Sequence, residues 1–65
     1  MNAARIKKLV RICSLLEEIR DEEMEAYDNL PESLQVSDKG EGMERNAEEL
    51  EEARRMLQDL LDVNS

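Results

Sequence analysis

Histidine, phenylalanine and tryptophan are absent from this sequence, and cysteine, tyrosine and proline occur once each. A single cysteine rules out a disulfide within the chain. Without histidine it also cannot build a zinc site, which needs four N or S ligands or close to it. A nucleophile activated by a neighbouring imidazole is excluded in the same way. With 2% aromatic residues there is no basic-aromatic surface on which bases could stack. No glycine-rich phosphate loop is present. No apolar run approaches the roughly 18 residues of a membrane-spanning helix. The opening "MNAARIKKLVRICSLL" is basic and then apolar, as in a leader peptide. Arg11 interrupts the apolar part, however, and no small-residue cleavage site follows, so the expectation is a helix in a cytoplasmic protein.

What remains is charge and aliphatic side chains. Charged residues make up 40% of the 65 positions, and the formal net charge is −8. Glu, Arg, Leu, Ile, Met and Ala dominate, a profile of long helices or coiled coils. A chain of this size buries little surface and needs help from a disulfide, a metal or a second chain. The first two are excluded, so self-association is expected. The charge is also uneven. Residues 1–20 carry Arg5, Lys7, Lys8, Arg11 and Arg20 against Glu17 and Glu18, a net of +3, so the remainder carries −11.

Two helical segments are predicted. In the first, about 3–28, Leu9, Ile12, Leu16, Ile19, Glu23, Ala26 and Leu30 recur at three-four spacing, the spacing of a helix seam. Ile6, Val10, Cys13 and Leu15 widen the apolar surface beyond one stripe, as in a helix with more than one neighbour. In the second, about 38–62, Met43, Asn46, Leu50, Ala53, Leu57 and Leu60 form the equivalent seam, flanked by Ala47, Met56 and Leu61. Asn2 and Ser37 are the expected N-caps. Two matched helices on a short connector fold as an antiparallel hairpin. The fold class expected is therefore all-α, a coiled-coil-like two-helix hairpin spanning 1–65 as one domain. The apolar residues outside its seam (Ile6, Val10, Cys13, Leu15 and Leu61) are the candidate dimer interface of a four-helix bundle. Antiparallel pairing also sets the basic start of the first helix beside Asp59 and Asp62.

The connector, 29–37, contains Pro31, which biases Leu30 away from helical geometry and suits the start of a single turn. Leu30, Leu34 and Val36 are expected to fold back over the hairpin end as an ordered plug, with Ser37 opening the return helix. Gly40 and Gly42 each cost about 1 kcal/mol of helix propensity relative to Ala. Either the backbone passes close by, with Tyr27 or Glu23 as its neighbour, or the first turn is frayed. Glu23 falls on the apolar seam. A buried carboxylate there requires hydrogen bonds, with Ser33 or Ser37 as candidate donors. If the seam ends earlier, Glu23 is solvated.

The string "EIRDEEMEAYDNLPESLQVSDKGEGMERNAEELEEA", residues 18–53, resembles a family of small helical proteins of bacteria and phages or prophages that share a "DNLPESLQ" core. The resemblance implies a helix-turn-helix architecture and a phage or mobile-element setting, and no activity. Gly42 and Asn46 depart from the pattern, which has a better helix former at the first position and an aliphatic or small residue at the second.

The acidic runs "EEMEA" and "EELEEA" read as solvated faces rather than carboxylate metal sites, because the Glu-x-x-His pairs of di-iron bundles are missing. Cys13 reads as a small buried hydrophobe, and Arg54 and Arg55 read as surface charge. No cofactor and no small-molecule substrate is expected, nor any direct contact with nucleic acid or membrane. The function expected is a non-enzymatic, acidic protein-interaction module that homodimerises and meets a host protein. The alternative is an acidic DNA mimic, in which Glu44, Glu48, Glu51 and Glu52 occupy the basic groove of a nucleic-acid-binding protein. That row is sparser than the one charge per about 1.7 Å of duplex DNA.

Overall fold

A computed structural model describes residues 1–65. Helix α1 spans Ala3–Asp28, a single turn α2 spans Glu32–Gln35, and α3 spans Asp38–Val63. There is no strand. The two long helices, 26 residues each, pack against each other as an antiparallel hairpin. No helix is long and apolar enough to cross a membrane.

The ends of α1 are set locally. Asn2 lies in extended conformation, and its Oδ1 accepts from the Arg5 N–H at 3.0 Å, satisfying one orphan donor of the first turn. At the other end the Asn29 N–H still reaches the Glu25 carbonyl, after which Pro31 turns the chain. Pro31 caps α2, its carbonyl accepting from Leu34 and Gln35 at 2.9 and 3.0 Å.

Ser37 has the extended backbone of an N-cap, but its hydroxyl caps nothing in α3. It donates backward to the Leu34 carbonyl, closing α2. The connector is held to the hairpin by Gln35. Its side-chain amide donates to the Tyr27 carbonyl at 3.1 Å, while its backbone lies against Gly40. A Cβ on Gly40 would sit 2.1 Å from the Gln35 carbonyl oxygen, whereas a Cβ on Gly42 would meet nothing within 4 Å. The close approach is thus real at Gly40, its neighbour is Gln35 rather than Tyr27 or Glu23, and Gly42 has no packing reason. Of the three expected plug residues, Leu30 is half-buried, Leu34 is 43% exposed and Val36 is 78% exposed. Val36 takes no part in closing the end.

The seam between the helices is rotated by one residue from the spacing read in the sequence. On α1 the covered positions are Ile6, Leu9, Cys13, Leu16, Arg20, Glu23 and Tyr27, again at strict three-four spacing. On α3 the matching series is Gly40, Met43, Ala47, Leu50, Arg54, Leu57 and Leu61, with Gly42, Glu51 and Ala53 half-buried beside it. Cys13, Arg20 and Tyr27 replace Ile12, Ile19 and Ala26, while Ala47, Arg54 and Leu61 replace Asn46, Ala53 and Leu60. Cys13 and Ala47, at 6% and 5% exposure, are the only hydrophobic side chains fully buried. The Cα trace measures 48 × 14 × 11 Å. Only α1 and α3 run side by side along this length, with α2 confined to the connector end, so the hairpin is one layer thick with both broad faces open.

Candidate interaction surface

The two open faces differ in chemistry. One holds a charged cluster built on the seam itself. Arg20 pairs across the hairpin with Glu51 and along its own helix with Asp21 at 3.1 Å. Arg54, one turn beyond Glu51, grips the same carboxylate at 2.7 Å and reaches Glu17 at 3.8 Å. Arg55 approaches Glu51 at 3.7 Å from a well-exposed position. Glu51 is therefore shared by cations from both helices. The Arg54 and then the Arg20 hydrogen bonds hold its pKa at about 2, well below the usual 4.5. The same contacts raise the pKa of both arginines, led in each case by the bond to Glu51.

Arg54 is thus a seam residue with a side chain 21% exposed, and only Arg55 is surface charge. Once the seam is known to run through Cys13 and Ala47, spacing locates this cluster. Continuing the three-four series from Cys13 places Arg20 on one seam, and continuing it from Ala47 places Arg54 on the other, with Glu51 between.

An open groove runs beside the cluster. Tyr27, Glu44, Glu48, Glu52 and Arg55 line it together with Arg20 and Glu51. Glu44 beside the Tyr27 hydroxyl raises the phenol's pKa, with partial desolvation adding to it. Of the four residues in the acidic row, Glu48 and Glu52 make no ion pair or hydrogen bond within the chain, while the Glu44 carboxylate faces the Tyr27 hydroxyl. The fourth, Glu51, is neutralised by arginine, and Arg45 and Arg55 interleave with the row.

The opposite face is apolar over its middle. Ile12, Leu15 and Ile19 on α1 are each 46% exposed, and on α3 Met56 and Leu60 are 73% and 39% exposed. Helical spacing sets Ile12 and Ile19 on the flank of α1 that carries Glu23, and Met56 and Leu60 on the flank of α3 that carries Ala53. Glu23, Asn46, Glu49, Leu50 and Ala53 line one shallow depression there. Glu23 is half-buried on its rim and takes no hydrogen bond from Ser33 or Ser37.

The five dimer-interface candidates fall into two groups. Ile6, Cys13 and Leu61 lie on the hairpin's own seam. The Cys13 thiol is directed at the Arg54 carbonyl, 3.9 Å away. Val10 and Leu15 are exposed, but on opposite flanks: Val10 borders a groove with Ser14, Glu17 and Gln58, and Leu15 belongs to the apolar face. Ile12, Ile19, Met56 and Leu60 are the apolar surface residues that spacing had assigned to the interior or its edge. No group of three or more Cys, Asp or Glu is arranged to hold a metal. Compared with known protein families, curated proteins and solved structures, the chain matches none.

Proposed function

We propose that this chain is a non-enzymatic protein-interaction module that self-associates through its apolar face and presents its acidic groove to a protein partner. One observation carries the reading. The hairpin is a single layer whose fully buried apolar residues are Cys13 and Ala47, while Ile12, Leu15, Ile19, Met56 and Leu60 remain exposed. Domains are built from at least two packed layers around a core. Each aliphatic side chain taken fully out of water contributes about 1.5–3 kcal/mol, against a total stability of about 5–15 kcal/mol for an ordinary domain. A second hairpin laid on this face supplies the missing layer and gives a four-helix bundle.

The DNA-mimic reading is weaker on this geometry, because Arg45 and Arg55 break the acidic row and Glu51 is already neutralised. A protein partner carrying a few well-placed cations suits such a surface better than a groove evolved for a phosphate ladder.

Sedimentation equilibrium at micromolar concentration tests the self-association. The expected species is a dimer of the 7.5 kDa chain. Ile19→Glu should yield monomer or unfolded chain, and Glu48→Lys, on the opposite face, should leave the dimer intact. A folded wild-type monomer at these concentrations overturns the proposal.

A further inference from the structure

The exposed flank of α1 carries a second three-four series that lies off the hairpin seam. Arg5 and Lys8 begin it, Ile12, Leu15 and Ile19 form its middle, and Glu22 and Ala26 end it, all of them exposed. In order of charge and hydropathy the stripe reads basic, basic, apolar, apolar, apolar, acidic, small. Its centre, Leu15, is also the centre of the 26-residue helix.

We infer that two copies of the chain pair with α1 antiparallel to the α1 of the partner, crossing at Leu15 on a two-fold axis. This rests on the self-association proposed above and fixes its geometry. Antiparallel pairing about Leu15 sets Leu15 on the partner's Leu15, Ile12 on the partner's Ile19, and Lys8 on the partner's Glu22. By symmetry the last two contacts occur twice. A stripe whose charges are opposite at its two ends is self-complementary only when the copies run in opposite directions. Run in parallel, Lys8 would face Lys8 and Glu22 would face Glu22. Such like-charge juxtaposition is what electrostatic specificity selects against.

The other two-fold arrangement lays α1 on the partner's α3. Cys13 is level with Arg54, and Val10 borders one groove with Gln58, so Leu15 lies close to the level of Ala53. In that arrangement Glu22 falls at the level of the partner's Asn46 and Lys8 at that of Leu60, which leaves an unpaired anion and an unpaired cation on the stripe. The antiparallel α1 pairing avoids both. It also brings Ala53 near the partner's Ala53 at the same axis, where a small side chain lets α3 approach α3 closely. An interface of this kind is isologous, as closed two-fold dimers require.

Charge reversal and thiol trapping test the geometry together. Lys8→Glu and Glu22→Lys should each weaken dimerisation by roughly tenfold, since each reverses two ion pairs of up to about 1 kcal/mol. The double variant Lys8→Glu/Glu22→Lys should recover most of that loss. Neither reversal threatens the helix: the glutamate gains Arg11 three residues on, and the lysine gains Glu18 four residues back. Circular dichroism reads the helix content in each case. In a Cys13→Ala background, Leu15→Cys should oxidise to a covalent dimer, and Lys8→Cys alone should not. A wild-type dimer in which Leu15→Cys fails to cross-link with itself but links to Ala53→Cys overturns the geometry and leaves self-association standing. A dimer in which the double charge swap does not recover also overturns it. A folded monomer at all concentrations overturns both.

Discussion

Arg20 stands on the α1 seam between Leu16 and Glu23, and its guanidinium pairs across the hairpin with Glu51 of α3. The contact puts a cation where an uninterrupted coiled-coil seam would carry leucine. Arg54 approaches the same carboxylate from the facing seam, so the middle of the interface is held by one anion between two cations. Partly exposed ion pairs contribute little to net stability. Polar residues on a seam are better attested as devices that fix register. Sliding α3 by one turn in the direction that moves Glu51 further from Arg20 would break their pairing across the hairpin.

The cluster makes stability depend on acid. Glu51 titrates near 4.5 when free and at about 2 in the fold. Between these values the unfolded chain binds a proton that the folded chain does not, so lowering the pH favours unfolding. The contribution is fully present above the unfolded value and is lost as the pH falls through the folded one. Urea unfolding of wild type and Glu51→Gln, followed by circular dichroism, should show wild type more stable by a constant margin above about pH 5. That margin should shrink below 4.5 and vanish near 2. A margin that persists at pH 2, or is absent at pH 7, would contradict the role given to this carboxylate.

The hairpin was legible in the sequence because three independent signals agree: the three-four period, a cap at Asn2, and Pro31 between two matched segments. The rotation of the helices was not. Leu9, Leu16 and Glu23 on α1, and Met43, Leu50 and Leu57 on α3, belong to both possible seams. The choice rests on neighbours: Ile12 against Cys13, Ile19 against Arg20, Asn46 against Ala47, Ala53 against Arg54. Hydropathy favours isoleucine over both alternatives on α1. The fold takes the other member because small Cys13 and Ala47 let the backbones close, and because Arg20 reaches Glu51 across the hairpin on that side. A reading that gives each helix one apolar neighbour assigns the most hydrophobic stripe to it. Here that stripe faces outward. The charged row was visible in the sequence, but the sharing of Glu51 depends on cross-helix register that no single segment states.

Burial of Cys13 has a direct chemical readout. At 6% exposure its thiol is shielded by α3, so a reagent meets it only when the hairpin opens. Labelling by a thiol reagent should be slow under native conditions and should accelerate with urea in step with loss of helix signal. The variant Ile19→Cys in a Cys13→Ala background should behave differently, reacting at once in any monomer present. Rapid native labelling of Cys13 would show that the seam is not rotated as described.

The connector residues should differ in cost according to what they cover. Val36, 78% exposed, covers nothing, and Val36→Ser should stay within about 0.5 kcal/mol of wild type. Leu30 is half-buried at the end of the seam. Leu30→Ala should cost about 1–2 kcal/mol, less than the roughly 2–5 kcal/mol of a fully buried leucine. Thermal or urea unfolding measures both. Equal effects from the two would mean that Val36 closes the hairpin end after all.

Gly40 and Gly42 offer the sharpest contrast, because sequence alone treats them alike. Both lie in the first turns of α3 with negative φ, so backbone conformation demands glycine at neither. On propensity alone, replacing either with alanine gains up to about 1 kcal/mol. At Gly42 nothing opposes that gain, since an added methyl meets no atom within 4 Å. Gly42→Ala should raise stability by about 0.4–1 kcal/mol. At Gly40 the methyl would lie 2.1 Å from the carbonyl oxygen of Gln35 and 2.5 Å from its carbonyl carbon. These are backbone atoms of a turn held by Pro31 on one side and by the Gln35–Tyr27 hydrogen bond on the other, so no side chain can swing aside to relieve the clash. Gly40→Ala must push α2 off α3, and overpacking of this kind costs about 1–3 kcal/mol, more than the propensity returns. Gln35→Ala should then partly relieve Gly40→Ala by freeing the turn from Tyr27, a coupling measurable in a double-mutant cycle. If Gly40→Ala is as stabilising as Gly42→Ala, the close packing of α2 on α3 is refuted.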